Sequence, residues 1–555
     1  MKRIIATLTS LMLLLTILAS FPLNAAEEFT AFFEAENAEL TGVEAAEKVY
    51  NDEYPGFTGT GFAWMTNGGT VKFNINVPTQ NAYKVVVRGF SYLEDDRLQR
   101  IDVNGVNKGS DFIFPSSKTW LDINLGLFPF KEGDNTFEIK ANYGYVLIDS
   151  ITVSESPYSF DITTTLVDEN ATKEAKGLNA FLNSIYGKHT LLGQQEMYGG
   201  GHDDNLEYEF DWIENLTGEL PSARGFDFMN YNPMYGWEDG TTERIIEWDS
   251  RGGIATGCWH INVPTEWDTY ILGEAVDWQK ATYKQTVPHA NAQSDFDVRN
   301  VVIEGTKEYD YFQLCIDDLA EQFLILQEAG VPLIWRPFHE CAGGGNSDGS
   351  GAWFWWASAG AETYKELWQL LYTELTEKRG IHNLIWTFNY DWVINPDWYP
   401  GDEYVDILSH DKYNTEYHRT DGKTGVNEDA DAANFYTLVD LGNGEKMVAM
   451  TENDTIPSLD NMFNEAAYWL LVMPWYDNFL TYPNKNDPET LTALYQSDFG
   501  LTLDEIDWKS FIQEGGENDT TTTTSDSLSL IGDIDCDGGV GKMADIVLLA
   551  KYFKG

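Results

Sequence analysis

After about residue 170 the chain repeats one pattern eight times: a short apolar, strand-like run, then a segment of helical period. The runs are Thr190–Glu196, Pro221–Phe228, Gly253–His260, Val331–Glu340, Asn383–Tyr390, Tyr404–Asn414, Lys446–Glu452 and Trp469–Tyr476. Strands that alternate with helices lie parallel, and eight of them predict a closed (β/α)8 barrel. The helical segments carry their apolar residues on one face. Phe312, Cys315, Leu319, Phe323 and Leu326 do so before the fourth run, and Tyr364, Leu367, Trp368, Leu371 and Leu375 do so after it.

The fourth and seventh of these runs each end in a glutamate that opens into polar sequence. Glu340 closes Arg336-Pro337-Phe338-His339-Glu340, and Glu452 lies in Met450-Thr451-Glu452-Asn453-Asp454. A carboxylate at the C-terminal end of a barrel strand reads as catalytic, because active sites of this fold sit on that face. Strands four and seven lie on opposite sides of the barrel mouth, so their carboxylates can face one sugar from both sides. Glycosidic cleavage needs this pair: one carboxylic acid that keeps its proton and one carboxylate that stays charged. Burial raises the first, while donors from Arg, His or Asn hold the second, and Asn453 and the neighbouring strand ends offer such donors. Structural ion pairs also bury carboxylates, and it is the strand count that favours the catalytic reading. Aromatic residues make up 14% of the chain, and sugar C–H faces pack on such rings. Most of the tryptophans belong to the core. Trp259, Trp353, Trp355 and Trp475 fall at or just after strand ends and are the ligand candidates.

The run Arg336–Glu340, the cluster Trp353-Phe354-Trp355-Trp356 and the Glu452 strand resemble glycoside hydrolase family 26 over residues 165–510. That family consists mostly of endo-β-1,4-mannanases on a (β/α)8 barrel. The resemblance implies Glu340 as acid/base and Glu452 as nucleophile, with Arg336, His260, His339, Trp353, Tyr413 and Trp475 lining the sugar site. His339 stands where many relatives in the clan carry Asn.

Residues 27–155 read as a separate all-β unit. Alternating runs at Thr70–Val77, Ala82–Gly89, Trp120–Leu127, Asn135–Ala141 and Tyr145–Val153 are broken by Gly, Asn and Asp turns with no long helix between them. The segments Phe33–Glu39 and Val146–Ile151 resemble a family 35 carbohydrate-binding module, a jelly roll with a structural calcium. By that resemblance Glu34, Glu36 and Asp149 hold Ca2+, while Trp120 and Asn142 contact ligand and Trp64 belongs to the core. Oxygen-only ligands suit this cation.

The ends of the chain carry further signals. Met1-Lys2-Arg3, an apolar stretch and Ala25-Ala26 predict a signal peptide over 1–26, hence secretion. No second apolar stretch is long enough to span a bilayer. A net charge of -54 argues against nucleic-acid or polyanion partners and is indifferent to a neutral polysaccharide. Residues 516–529 form a Thr/Ser/Asp linker. Beyond it, residues 530–555 carry Asp533, Asp535, Asp537 and Gly538, the start of a calcium loop. They resemble a dockerin, which implies a cohesin-bearing scaffoldin as partner. The closing acid Asp545 falls one residue late, and a single repeat is visible. Four scattered cysteines form no disulfide framework or metal spacing. Buried, reduced thiols are expected, with a Cys258–Cys341 bridge as the alternative.

The sequence therefore predicts a secreted, retaining endo-β-1,4-mannanase acting on mannan, galactomannan or glucomannan without a catalytic cofactor. The alternatives are a β-glucanase or β-xylanase on the same barrel, or a non-catalytic polysaccharide-binding protein.

Overall fold

The computed structural model describes residues 29–513, apart from 48–51, 143, 157–159, 161, 198–200, 238, 344–345, 392 and 414–425. The predicted signal peptide, the linker and the calcium loop with Asp533, Asp535 and Asp537 lie outside the described residues.

Residues 30–155 fold as two antiparallel sheets. One has the order Glu44–Glu47, Gly61–Met65, Val146–Glu155, Asn81–Ser91, Leu121–Phe130, with Thr30–Glu34 also pairing onto Val146–Glu155. The other has the order Glu39–Thr41, Thr70–Val77, Gly133–Ala141, Arg97–Val103, Val106–Phe114. Along Thr70–Val77 the period of two sends Val71, Phe73, Ile75 and Val77 inward, against Val85, Val87, Ile151 and Val153 of the facing sheet. The predicted sandwich is present.

The barrel strands are β1 (Thr190–Gln195), β2 (Ala223–Asp227), β3 (Ile254–Cys258), β4 (Leu333–Arg336), β5 (Leu384–Tyr390), β6 (Ile407–Lys412), β7 (Met447–Asn453) and β8 (Leu471–Pro474). Each runs parallel to the next, and β1 pairs with both β8 and β2, which closes the ring. A two-residue strand, Gly500–Leu501, pairs in parallel with the start of β1 at Thr190 and Leu191. All eight expected strands are present. Several are shorter than their apolar runs, because the last residues turn away to build the mouth. β4 stops at Arg336, where Pro337 has no N–H to continue the ladder.

The module has its own core, yet it is joined to the barrel. Its strand Leu121–Phe130 packs on the helix Ala432–Leu441, and Ala82 and Leu127 belong to the barrel's apolar cluster. Gln80 donates to the Phe463 carbonyl at 2.9 Å, and Lys108 forms a largely buried ion pair with Glu465. Lys108→Met leaves the Glu465 charge without its partner in a dry interface, so stability should fall by about 3 kcal/mol. Urea unfolding checks this, and an unmoved midpoint would mean that the ion pair contributes nothing. A full deletion of the module would also strip cover from Ala432–Leu441, so point variants isolate its binding role better.

Candidate active site

Strand ends converge on one cleft. Arg336 closes β4, and the chain then turns sharply through Pro337 to Glu340. Phe338 and Glu340 adopt left-handed backbone, with φ of 47° and 53°. Neither is glycine, so the turn is strained, and its surroundings must hold it. The Phe338 ring is buried beside Phe312, Tyr364 and Trp368, and its carbonyl accepts from the Tyr364 hydroxyl at 2.8 Å. The Glu340 N–H donates to Asn389 Oδ1 on β5 at 2.6 Å. The turn therefore aims the Glu340 carboxylate at the mouth, where Trp353 Nε1 donates to its Oε2 at 2.6 Å.

Glu452 projects from β7. Arg336 donates to its Oε1, and the Tyr413 hydroxyl donates to its Oε2 at 2.7 Å. With a donor on each oxygen, the side chain is held as an acceptor. Arg336 also donates to Asp411 Oδ2 on β6 at 2.8 Å, so one buried guanidinium bridges two carboxylates. Asp411 Oδ1 accepts from Asn389 and from Thr451, both at 2.8 Å. Oxygen atoms of Glu340, Asp411 and Glu452 lie within 4.8 Å of one another.

Electrostatics favour the acid role for Glu340. Burial, then the charges of Glu452 and Asp391, push Glu340 up to about 8, so it keeps its proton at neutral pH. Burial followed by the neighbouring Glu452 also raises the Tyr413 hydroxyl well above its ordinary range, which keeps it a donor.

Two histidines form a wall. His260, just past β3, donates from Nδ1 to Asp227 Oδ2 at 2.5 Å, and its backbone N–H donates to Asp227 Oδ1 at 3.1 Å. His260 Nε2 faces His339 Nε2 at 3.2 Å, close enough for one hydrogen bond between the two rings. Burial, then the neighbouring His260 and Arg336, drive His339 well below the usual histidine range. It is neutral. The His260 ring also meets Tyr283 at 4.9 Å, Phe354 at 5.6 Å and Trp475 at 6.4 Å between centroids.

The barrel residues singled out from the sequence thus share this one cleft: Glu340, Glu452, Arg336, Tyr413, Trp353, His260, His339 and Trp475. Three readings need correction. Trp259 and Trp355 are fully buried; Trp259 packs on Phe312 and Trp335, and Trp355 donates to the Ile261 carbonyl at 2.6 Å. Neither offers a face to ligand. Asn453 is turned towards β8, where its Oδ1 accepts from the Met473 N–H, and Arg336 and Tyr413 fill the donor role at Glu452. Asp411, Asn389 and Asp227 were missed. Asp411 and Asp227 are strand-end carboxylates, so the signal that found Glu340 and Glu452 was present for both. Cys258, Cys315 and Cys341 are buried free thiols, as expected.

In the module, Glu34, Glu36 and Asp149 gather around the turn Thr58–Gly61. The Thr58 hydroxyl donates to Glu34 Oε2 at 2.8 Å and to Asp149 Oδ2 at 3.0 Å, while the Thr60 and Gly61 N–H groups donate to Glu36 Oε1. Gly59 lies so close that a Cβ would meet the Glu36 and Glu34 oxygens at 2.6 and 2.7 Å. Glu36 Oε2 is buried without a hydrogen-bond partner, and burial raises Glu34 and Asp149. Trp120 is 8% exposed, packed among Phe57, Phe62 and Phe90, so little of its ring is open to a ligand. Trp64, expected in the core, is half-buried beside Tyr54 and Tyr92. Asn142 follows the strand Gly133–Ala141.

Comparison with known proteins gives the same division of the chain. The model of glycosyl hydrolase family 26 matches residues 167–505, and that of carbohydrate binding module family 35 matches residues 31–156. A mannan endo-1,4-beta-mannosidase from Thermothelomyces thermophilus is 34% identical over 486 residues, covering 85% of this chain and 90% of the relative. The crystal structure of a ruminal GH26 endo-beta-1,4-mannanase aligns with a TM-score of 0.75 at 45% identity, covering 86% of this chain and 98% of that one. A GH26-CBM35 beta-(1,4)-mannanase from Podospora anserina aligns with a TM-score of 0.54 at 30% identity, covering 87% and 99%.

Proposed function

The chain belongs to glycosyl hydrolase family 26 and is an endo-β-1,4-mannanase, and we propose that it cleaves mannan, galactomannan or glucomannan by double displacement with retention of configuration. The observation that carries this mechanism is the approach of Glu340 and Glu452 to within 4.8 Å across the mouth, with Glu340 holding its proton and Glu452 accepting from Arg336 and Tyr413. Retaining enzymes hold their carboxyl groups about 5–5.5 Å apart, whereas inverting enzymes leave room for a water. Protonated Glu340 gives its proton to the glycosidic oxygen as a Glu452 oxygen bonds to the anomeric carbon and the leaving sugar departs. Esterification removes the Glu452 charge, and with it one cause of the raised Glu340 pKa. Glu340 can then take a proton from the water that releases the second product. Arg336 and Tyr413 hold the nucleophile, Trp353 orients the acid, and His260, His339 and Trp475 line the sugar.

A panel of mannan, galactomannan, glucomannan, mixed-linkage glucan and xylan tests the substrate, read as new reducing ends. Proton NMR of the first product tests retention. Greatest activity on glucan or xylan, or an inverted first product, would overturn the corresponding part of this reading.

The module would bind polysaccharide, with Asn142 near its ligand, and would hold a structural calcium between Glu34, Glu36 and Asp149. Three carboxylates with an orphaned oxygen beside a glycine-only turn fit an oxygen-coordinated cation. Residues 1–26 would direct secretion, and 530–555 would form a second, dockerin-like calcium site for a cohesin partner. Calcium titration of the chain after residue 26 should show two classes of site. Glu36→Gln should remove one class and abolish the lowering of the melting temperature by chelator, and a stop after residue 513 should remove the other. A wild-type melt unmoved by excess chelator would rule out the module's ion.

A further inference from the structure

Two loops meet beside the acid. After β3 the chain forms a short ladder, Val263–Pro264 with Ala281–Thr282, and then crosses to the loop that follows β4. There Lys284 pairs with Phe354 as an isolated antiparallel bridge. The Gln285 N–H donates to the Trp353 carbonyl at 2.9 Å, and the Trp355 N–H donates to the Tyr283 carbonyl at 3.2 Å. The loop that carries the indole donor of Glu340 is thus fastened to the loop that carries Lys284.

The Lys284 ammonium is placed between rings, 4.7 Å from the Tyr283 centroid and 5.3 Å from that of Phe354. These two rings also touch the histidine wall: Tyr283 meets His260 at 4.9 Å, and Phe354 meets His339 at 5.1 Å. Among the described residues, no carboxylate comes within ion-pairing distance of Lys284 and no hydrogen bond from its ammonium is formed. The chain has 89 acidic residues against 35 basic ones, so a cation without an acidic partner in a half-buried position calls for a reason. Ring faces repay part of its desolvation but supply no acceptor for its three N–H groups. Its charge acts on both Glu340 and His339.

We propose that Lys284 is a substrate-binding residue of the cleft, its ammonium donating to mannose hydroxyls beside Glu340. The inference rests on the assignment of this cleft as the mannanase site. An occupied cleft would bring hydroxyl oxygens as acceptors, and the neighbouring half-buried Tyr283 ring suits the C–H face of the same sugar. Because the cation favours the ionised form of Glu340, it also contributes to the pH at which the acid loses its proton. Removing it raises that pKa, so the alkaline edge of activity moves to higher pH.

The test compares wild type, Lys284→Met and Lys284→Arg on mannohexaose. Methionine keeps the aliphatic stem between the rings and removes the donors. KM should rise about tenfold for Lys284→Met, the loss of one charged hydrogen bond, with kcat within about threefold of wild type. Lys284→Arg should restore most of the affinity, and the alkaline limb of kcat/KM should shift upward only in the methionine variant. A wild-type KM and pH profile in Lys284→Met would overturn the proposal. So would equal losses in both variants accompanied by a lower melting temperature, which would make Lys284 a clamp between loops. A wild-type enzyme that leaves mannohexaose intact would instead overturn the mannanase assignment.

Discussion

Glu452→Gln is expected to lower turnover of every mannoside by a factor on the order of 10⁴ or more, because no covalent intermediate can form. The amide is nearly the same size and can keep one acceptor for Tyr413 or Arg336, so the fold should survive. Glu340→Gln should behave differently. On mannan, whose leaving sugar needs a proton, the loss should be ~10²–10⁴. On an activated aryl mannoside, whose leaving group departs unprotonated, the first step should be nearly unchanged, and glycosyl-enzyme should accumulate as a burst. Rapid-quench kinetics with intact-protein mass spectrometry reads both outcomes. Equal losses on the two substrates for Glu340→Gln would remove it as the acid, and a trapped adduct in Glu452→Gln would remove Glu452 as the nucleophile.

Arg336→Met should be the most damaging substitution for stability. Arg336 is buried, its own pKa raised by Asp411 and Glu452, and it is bonded to both. Methionine fills much of the same space but leaves two carboxylates facing each other in a dry site. Breaking a buried ion pair from one side costs about 3–5 kcal/mol. Asp411, which burial already raises, should respond by holding a proton, and Glu452 would lose the donor on its Oε1 even where the barrel folds. Arg336→Lys should fall in between, since one ammonium cannot reproduce a guanidinium fork spanning two strands. Urea unfolding at neutral and acidic pH checks the series. An Arg336→Met midpoint within about 1 kcal/mol of wild type would show that the bridged carboxylates do not depend on it.

The barrel and its two glutamates could be read from the sequence because each is a local signal. A strand of β7 type is a continuous apolar run, buried on both sides, and a carboxylate at its end breaks the run visibly. The ligand tryptophans were less legible. Trp353 and Trp355 are two residues apart in one loop, yet one donates to Glu340 at the cleft and the other is sealed in the core. Strand-end position does not say which way a ring points. Asp411 carries the same strand-end signal as the two glutamates, but its role as a second anchor of Arg336, like the setting of Lys284 beside the loop of Phe354, comes from partners far along the chain. In the module, Arg97–Val103 went unread as a strand because Arg97, Gln99 and Asp102 are inward or buried polar residues that blur the alternation. Gln99 spends its amide on the Gly144 carbonyl, a contact that no local pattern announces.

The turn at Phe338–Glu340 has a consequence for anyone breeding a hardier form of this protein. Left-handed backbone at a residue with a side chain costs about 1–2 kcal/mol that glycine does not incur. At position 340 the residue best suited to the backbone is therefore one that cannot donate a proton. Selection scored on survival of heating alone would drift towards sturdy, inert descendants at this position. A breeding scheme has to reward sugar release in every round to keep the acid where the chain least welcomes it.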